Sequence, residues 1–514
     1  MRIPMRDGVD LLADHYSPDT ADPAGTLLVR GPYGRRWPFS TLYASVYAAR
    51  GYHVVLQSVR GTFGSGGVFE PTVNEADDGA DTVAWLRDQP WFTGSFGTVG
   101  PSYLGATQWA LLQDPPPELV AAVIIVGPHD FGASTWSTGS FGVNDFLGWS
   151  HMVAHQEDPH RLRGLLRQAR GRRIVGRAAA GLPLGAAGRR LLGAGAPWWE
   201  SWIGHADPAD PFWDPYRFGA ALERTQVPVL LIGGWQDLFL DQTLLQYRTL
   251  RNRGVDVAMT VGPWTHSHMV GKAAPAVLRE SLHWFGTHLA GRPAVPRPRV
   301  RLCVTGGAGW IELADWPPVT TDEVRYLGDG SRLTHTAEND SGSSVFTYDP
   351  QEPTPTLGGR LLAPSSGIRR DDTLARRRDV VTFTSDALPA DLFVFGAPVA
   401  ELAHDSDTPY VDLFVRVSEV DAKNRSRNVS DGYVRLGPDR ETGLLRVELD
   451  PIAHRFAAGS RIRLIIGGGS FPRYARNLGT GESVREGEKS VPATHVISHH
   501  GSRLTLPSRS TLPG

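Results

Sequence analysis

The chain has 514 residues, of which 52 are Lys or Arg and 54 are Asp or Glu, with 41% hydrophobic and 21% charged side chains. That balance excludes disorder, collagen and coiled coil, and a formal charge of −2 offers no overall attraction to phosphate backbones or anionic lipid. The length suits about three domains, each large enough to bury a core of its own.

Asp7, Asp10 and Asp14 interrupt the amino-terminal stretch, so it lacks the apolar run of a signal peptide. No later window stays uncharged and apolar over about 18 residues. The one cysteine, Cys303, cannot form an intramolecular disulfide, which fits a reducing compartment. A cytoplasmic, non-membrane protein is expected.

Through the first half of the chain, short β-rich runs alternate with longer segments of helical period. Thr26-Leu27-Leu28-Val29-Arg30, His53-Val54-Val55-Leu56-Gln57, Gly97-Thr98-Val99 and Ala121 to Val126 are nearly continuous in apolar character, as strands covered on both faces must be. Asn74 to Arg87 reads as a helix with acidic residues in its first turn. Strand, helix, strand in repetition implies a mostly parallel sheet in an α/β fold.

From about Ser137 to Arg224 the strand signal disappears, and a helical insertion or cap is expected. Arg161 to Arg190 holds nine arginines and no acid, with Leu162, Leu165, Leu166 and Ala169 at i, i+3, i+4 and i+7. These arginines fit a solvated outer face; recognition of an anionic substrate or partner is the alternative. The α/β pattern resumes at Pro228 to Ile232 and Val257 to Val261 and closes with a helix near Ala273 to Leu289. Gly291 to Pro296 reads as a linker. Beyond it, short alternating strands such as Val300 to Val304, Val411 to Val417 and Arg461 to Ile466 predict a β-sandwich.

The sharpest local feature is Gly100-Pro101-Ser102-Tyr103-Leu104-Gly105, which joins a predicted strand to a predicted helix. A serine on so abrupt a turn holds its hydroxyl over the sheet edge, as in a nucleophile elbow. The usual pattern has glycine two residues after the serine, whereas here Leu104 stands there and Gly105 follows. A serine nucleophile needs a histidine to take its proton and a carboxylate to orient that histidine. Asp237 follows the strand ending at Ile232, and His266 follows the strand ending at Val261. Asp241 and His268 compete for the same roles, and spacing does not choose between them. The Tyr103 amide and the Arg30-Gly31-Pro32-Tyr33-Gly34 loop are candidate oxyanion donors.

Pro4 to Val9, Gly31-Pro32-Tyr33, Arg60 to Gly67, the serine motif, Gly234-Trp235-Gln236-Asp237 and Gly262 to Ser267 together resemble the CocE/NonD hydrolases, a group related to the X-Pro dipeptidyl peptidases. Tyr348-Asp349-Pro350, Leu357-Gly358-Gly359, Ser430-Asp431-Gly432 and Ser470 to Asn477 extend the likeness into the last third. The resemblance implies Ser102 as nucleophile, His266 as base, Asp237 as orienting acid, and the Tyr33 hydroxyl with the Tyr103 amide as oxyanion hole. It also implies an α/β-hydrolase core (1–136 and 226–295), an inserted helical cap (137–225) and a carboxyl-terminal jelly-roll sandwich (296–514).

In the enzymes of this group that act on α-amino acid esters, acidic residues stand two and three positions after the triad aspartate; here Phe239 and Leu240 stand there, so the resemblance implies that a buried substrate ammonium would lack a counter-charge. With Trp136, Phe141, Phe146 and Trp149 early in the cap, an apolar or aromatic acyl group is expected, and Trp136, Phe141, Trp149 and Phe239 are the candidate substrate contacts. The expected activity is ester hydrolysis through an acyl-enzyme, without metal or organic cofactor. The expected partners are a small-molecule ester and at most a second copy of the chain, with neither nucleic acid nor membrane. An amidase or X-Pro peptidase, a biosynthetic acyltransferase, and a binding protein with a vestigial triad are the competing readings.

Overall fold

Runs of Val, Ile and Leu that cannot face water become neighbouring strands of one sheet. The computed structural model describes residues 1–158, 161–293, 296–337, 342–440 and 443–513, with the backbone alone over 161–169. Its first compact unit comprises Met1–Ser134, Met152–Gly164 and Ala209–Arg301. Among its described strands are β1 (Arg2–Pro4), β2 (Asp10–Tyr16), β3 (Gly25–Gly31), β4 (Tyr52–Ser58), β5 (Phe96–Pro101), β6 (Leu119–Ile125), β7 (Val229–Gln236) and β8 (Val257–Thr265). Their order across the sheet is β1-β2-β4-β3-β5-β6-β7-β8. From β4 to β8 every neighbour is parallel, while β1 and β2 add an antiparallel edge.

Every residue of β3, β4, β5 and β7 is buried, which explains their uninterrupted apolar character. Helices α1 (Glu75–Arg87), α2 (Tyr103–Leu111), α3 (Leu240–Asn252) and α4 (Ala274–His288) belong to the same unit. The strand order reverses between β3 and β5. At such a switch point the loops leaving the two strands diverge and open a crevice at their carboxyl ends. Tyr33 follows β3 and Ser102 follows β5, so both candidates stand at that crevice.

Between β6 and β7 the described elements are helical, among them Val143–His155, Arg161–Ala179, Leu184–Leu192, Trp199–Gly204 and Gly219–Arg224. The apolar stripe at Leu162, Leu165, Leu166 and Ala169 lies outside the residues whose side chains are described. Arg170, Arg172, Arg173, Arg177, Arg189 and Arg190 are exposed. The linker read at Gly291 to Pro296 contains residues 294 and 295, which lie outside the described residues. Among the described residues no helix is long and apolar enough to cross a membrane.

The second unit comprises Thr135–His151, Leu165–Pro208 and Leu302–Gly514. Its carboxyl-terminal part is β-rich, with nearly all strand pairs antiparallel. The predicted run Val411 to Val417 lies almost wholly in β9 (Asp412–Val420), which pairs with β10 (Ser426–Arg435) and β11 (Arg461–Gly467). The last strand, β12 (Ala493–Arg509), buries odd-numbered residues from Ala493 to His499 and even-numbered ones from Ser502 to Ser508. A strand with a period of two can change its buried set only by an irregularity. Exposed His500 and Gly501, the latter at φ +80°, supply it, and the partner strand shifts register opposite, between Glu401 and Ala403. Ile497 before the shift and Leu504 and Leu506 after it thereby enter one apolar core.

Candidate active site

Ser102 sits between β5 and α2 with φ 59° and ψ −123°, a region that L-residues rarely adopt. Its backbone is held from both sides: the Ser102 amide donates to the Ile125 carbonyl at 2.9 Å, and its own carbonyl accepts from Gly105 N at 2.8 Å and Ala106 N at 3.1 Å. The displaced glycine now has a physical reason. The Leu104 side chain occupies the space left open at Gly31 and Gly100, where an added Cβ would stand 2.4 Å from Leu104 atoms. Gly105 instead meets Gly127, and a Cβ there would lie 2.6 Å from the Gly127 Cα. The tight strand-to-helix turn is therefore built from four glycines and one leucine.

Asp237 and His266 arrive by a different device. Strands β7 and β8 are parallel neighbours, in register from Val229–Val257 to Gly234–Gly262. The register then shifts so that Gln236 pairs with Thr265, one residue of β7 being matched by two of β8. Such a bulge re-aims the residues beyond it. Gly234 permits it, since a Cβ there would stand 2.4 Å from the Trp264 carbonyl oxygen. Asp237 and His266 are the next residue on each strand, which delivers acid and base side by side.

His266 Nδ1 lies 2.6 Å from Asp237 Oδ1, and Nε2 lies 2.9 Å from Ser102 Oγ. Asp237 is fully buried, and its second carboxylate oxygen accepts the Phe239 amide at 2.9 Å. With that oxygen occupied, Oδ1 is left to hold the imidazole. The competitors separate clearly: His268 Nδ1 accepts the Thr265 amide at 3.2 Å in a capping interaction, and Asp241 is exposed in the first turn of α3. Hydroxyl, imidazole and carboxylate are thus in line for proton transfer away from Ser102.

The Tyr103 amide opens α2, where helix N–H groups and the macrodipole favour developing negative charge. Tyr33 is half-buried, its ring stacked on Phe39 at 5.4 Å and 22°. Phe239 is buried and presents its ring edge-on to His266 at 5.4 Å and 79°. Ser102, Asp237, His266, Tyr103 and Phe239 are therefore brought together in one unit. Trp136, Phe141 and Trp149 belong to the second unit, where they are buried in an aromatic cluster of their own. Phe141 packs against Trp136 and Trp199, Trp149 stacks on Trp202 at 6.0 Å and 8°, and Trp136 Nε1 donates to the Trp202 carbonyl.

Residues 7–268 match the model of the X-Pro dipeptidyl-peptidase (S15) family, and residues 294–505 match that of the X-Pro dipeptidyl-peptidase C-terminal non-catalytic domain. The chain belongs to the S15 family. Cocaine esterase from Rhodococcus sp. (strain MB1 Bresler) is 30% identical over an alignment covering 98% of this S15-family chain and 97% of that protein. Two solved structures share the fold at 22% identity. An aminopeptidase from a marine sediment Thaumarchaeota archaeon has a TM-score of 0.83, covering 98% of this chain and 96% of its own. An α-amino acid ester hydrolase has a TM-score of 0.81, covering 99% and 96%.

Arg30, Glu75 and Thr72 also adjoin the elbow of this S15-family chain, and sequence reasoning passed over them. The signal was present: Arg30 ends an otherwise apolar strand run, and Glu75 looked like an ordinary first-turn acid. In the structure they form a buried ion pair at 3.0 Å, with relative side-chain exposures of 3% and 4%.

Proposed function

We propose that this chain is a serine esterase that cleaves a small-molecule carboxylic ester through an acyl-enzyme. The observation that carries the reading is the unbroken line of contacts from Ser102 Oγ through His266 to buried Asp237. Ser102 Oγ adds to the ester carbonyl carbon as His266 Nε2 takes its proton. The oxyanion that forms is stabilised by the Tyr103 amide and the Tyr33 hydroxyl. The carbon–oxygen bond to the alcohol breaks as His266 returns the proton to the leaving oxygen. Water, deprotonated by His266, then adds to the acyl carbon and releases Ser102. Asp237 keeps its charge throughout and stabilises the imidazolium.

An apolar or aromatic acyl group fits Phe239 beside the imidazole and the run Leu238-Phe239-Leu240 after the acid. The similarity to a cocaine esterase supports an ester substrate. The family model's description favours one second reading, cleavage of an amide or X-Pro peptide by the same residues. Ester and amide turnover on a common acyl group separate the two. With Cys303 as its one cysteine the chain cannot form an intramolecular disulfide, which supports a reducing, cytoplasmic setting.

Two measurements test the reading. A fluorophosphonate probe is expected to label Ser102 in folded protein, and p-nitrophenyl esters of graded acyl size are expected to be hydrolysed; failure of both would remove the esterase reading. Tyr33→Phe is expected to lower kcat by about 10²–10³-fold with KM nearly unchanged, because one oxyanion donor is lost. A kcat within twofold of wild type would take Tyr33 out of the mechanism.

A further inference from the structure

Tyr103 offers two groups to the elbow. Its amide is the first of α2, next after Ser102, while its phenol lies in the core, where the residue is only 2% exposed. The phenol oxygen accepts the Thr72 amide at 2.7 Å and donates to Glu75 Oε1 at 2.8 Å. Glu75 Oε2 accepts Arg30 Nη2 at 3.0 Å. Arg30 Nη1 reaches the Glu75 carbonyl at 2.9 Å, and Arg30 Nε reaches the Gln57 side-chain oxygen at 2.6 Å. Gly79 makes room for this guanidinium, since a Cβ there would stand 2.9 Å from Arg30 Nη1.

Two features mark the network as more than packing. A buried ion pair is weak evidence of stability, because desolvation offsets its attraction. In addition, Thr72 is a buried β-branched residue at φ 68°, a conformation that persists only where its surroundings enforce it. What its amide gains there is the phenol of the residue after Ser102. Burial pushes the Tyr103 phenol well above its ordinary range, and the negative charge of Glu75 adds to that, so the phenol is a neutral donor. Arg30 lies three residues before Tyr33 in the chain. One buried line of hydrogen bonds therefore joins the strand that leads to one oxyanion donor with the residue that supplies the other.

We propose that the Tyr103 phenol, clamped between Thr72 and Glu75, is a positioning group that fixes the direction of the Tyr103 amide toward the oxyanion. The proposal rests on the esterase reading above. Two bonds at the far end of a rigid ring fix its Cα–Cβ direction, and with it the peptide plane that carries the N–H. Without them the first turn of α2 can rock, and a donor displaced from the oxyanion loses its effect where charge develops rather than where substrate binds.

The test compares full-length wild type with Tyr103→Phe, which keeps the ring and removes its oxygen. Turnover of p-nitrophenyl butyrate is scaled to sites titrated with fluorophosphonate. Phenylboronic acid, whose serine adduct is tetrahedral and anionic, reports on the oxyanion hole. For Tyr103→Phe, kcat is expected to fall on the order of 10- to 100-fold, KM to stay within twofold, and the boronate inhibition constant to rise by a factor similar to the fall in kcat. Glu75→Gln, which keeps an oxygen acceptor, is expected to show a smaller loss of the same kind and carries the test should Tyr103→Phe not fold. Variants with kcat and boronate affinity both within twofold of wild type would overturn the proposal. So would a fall in kcat with boronate affinity unchanged, or failure of both variants to fold, which would make the network a structural one. Wild-type protein that neither labels nor turns over ester would instead overturn the esterase reading and this proposal with it.

Discussion

Ser102→Ala is expected to lower kcat toward p-nitrophenyl esters by about 10⁴–10⁶-fold while leaving the far-ultraviolet circular dichroism and the melting temperature close to wild type. The loss is large because Ser102 Oγ is the group in contact with His266 Nε2. The loss is finite because the proposed oxyanion donors remain and would still favour a tetrahedral carbon attacked by water. Stability is spared because alanine retains the Cβ, so the strain at φ 59° is unchanged and one half-buried hydroxyl is removed. A variant keeping more than about a hundredth of wild-type turnover per folded molecule would show that the nucleophile lies elsewhere.

The largest effect on stability is expected far from the triad in sequence, at Asp431. In the second unit Arg416 is 0% exposed and grips Asp431 with two hydrogen bonds, Nε to Oδ1 at 2.7 Å and Nη2 to Oδ2 at 2.9 Å. Arg473 adds a third to Oδ2 at 3.2 Å. Asp431→Ala removes the carboxylate that compensates the fully buried Arg416, and an orphaned buried charge costs about 3–5 kcal/mol. Urea denaturation is expected to report that loss at neutral pH. Burial pushes the Asp431 carboxyl up, but Arg416, ahead of Arg473 and Arg360, draws it below the usual aspartate range. Its folded value is thus below its unfolded one, so its stabilisation is present above about pH 4 and fades as pH falls further. The gap between wild type and Asp431→Ala should therefore narrow in acid. A gap under about 1 kcal/mol at pH 7 would show that Arg416 finds other compensation, for instance from Asp371 at 3.6 Å.

Elements that bury both faces were the most legible in the sequence. β3, β4, β6 and β7 announced themselves as apolar runs, while Val300–Val304, which has the expected bounds, was legible from its alternation instead. β1 and β2 went unread because β1 is only three residues long and the acids that interrupt the amino terminus, Asp10 and Asp14, lie on β2, whose burial only alternates. The order Ser102, Asp237, His266 was readable because each follows a strand. Choosing His266 over His268 required the bulge at Gly234 to Gln236, a register property that composition does not carry. The Arg30–Glu75–Tyr103 line was hidden for a related reason: its members lie up to 73 residues apart, and only the β3–β5 adjacency brings them together.

The partner that β6 requires has a consequence for how this chain is made. β6 ends at Ile125 and pairs with β7, which begins at Val229, so roughly 100 residues separate two adjoining strands. During synthesis at about 5–20 residues per second, the apolar Leu119–Ile125 edge waits several seconds or more for its neighbour. Throughout that interval it is a bare template for strangers, so the nascent protein should lean on chaperones, and ribosome stalling between these two strands should favour aggregation over recovery.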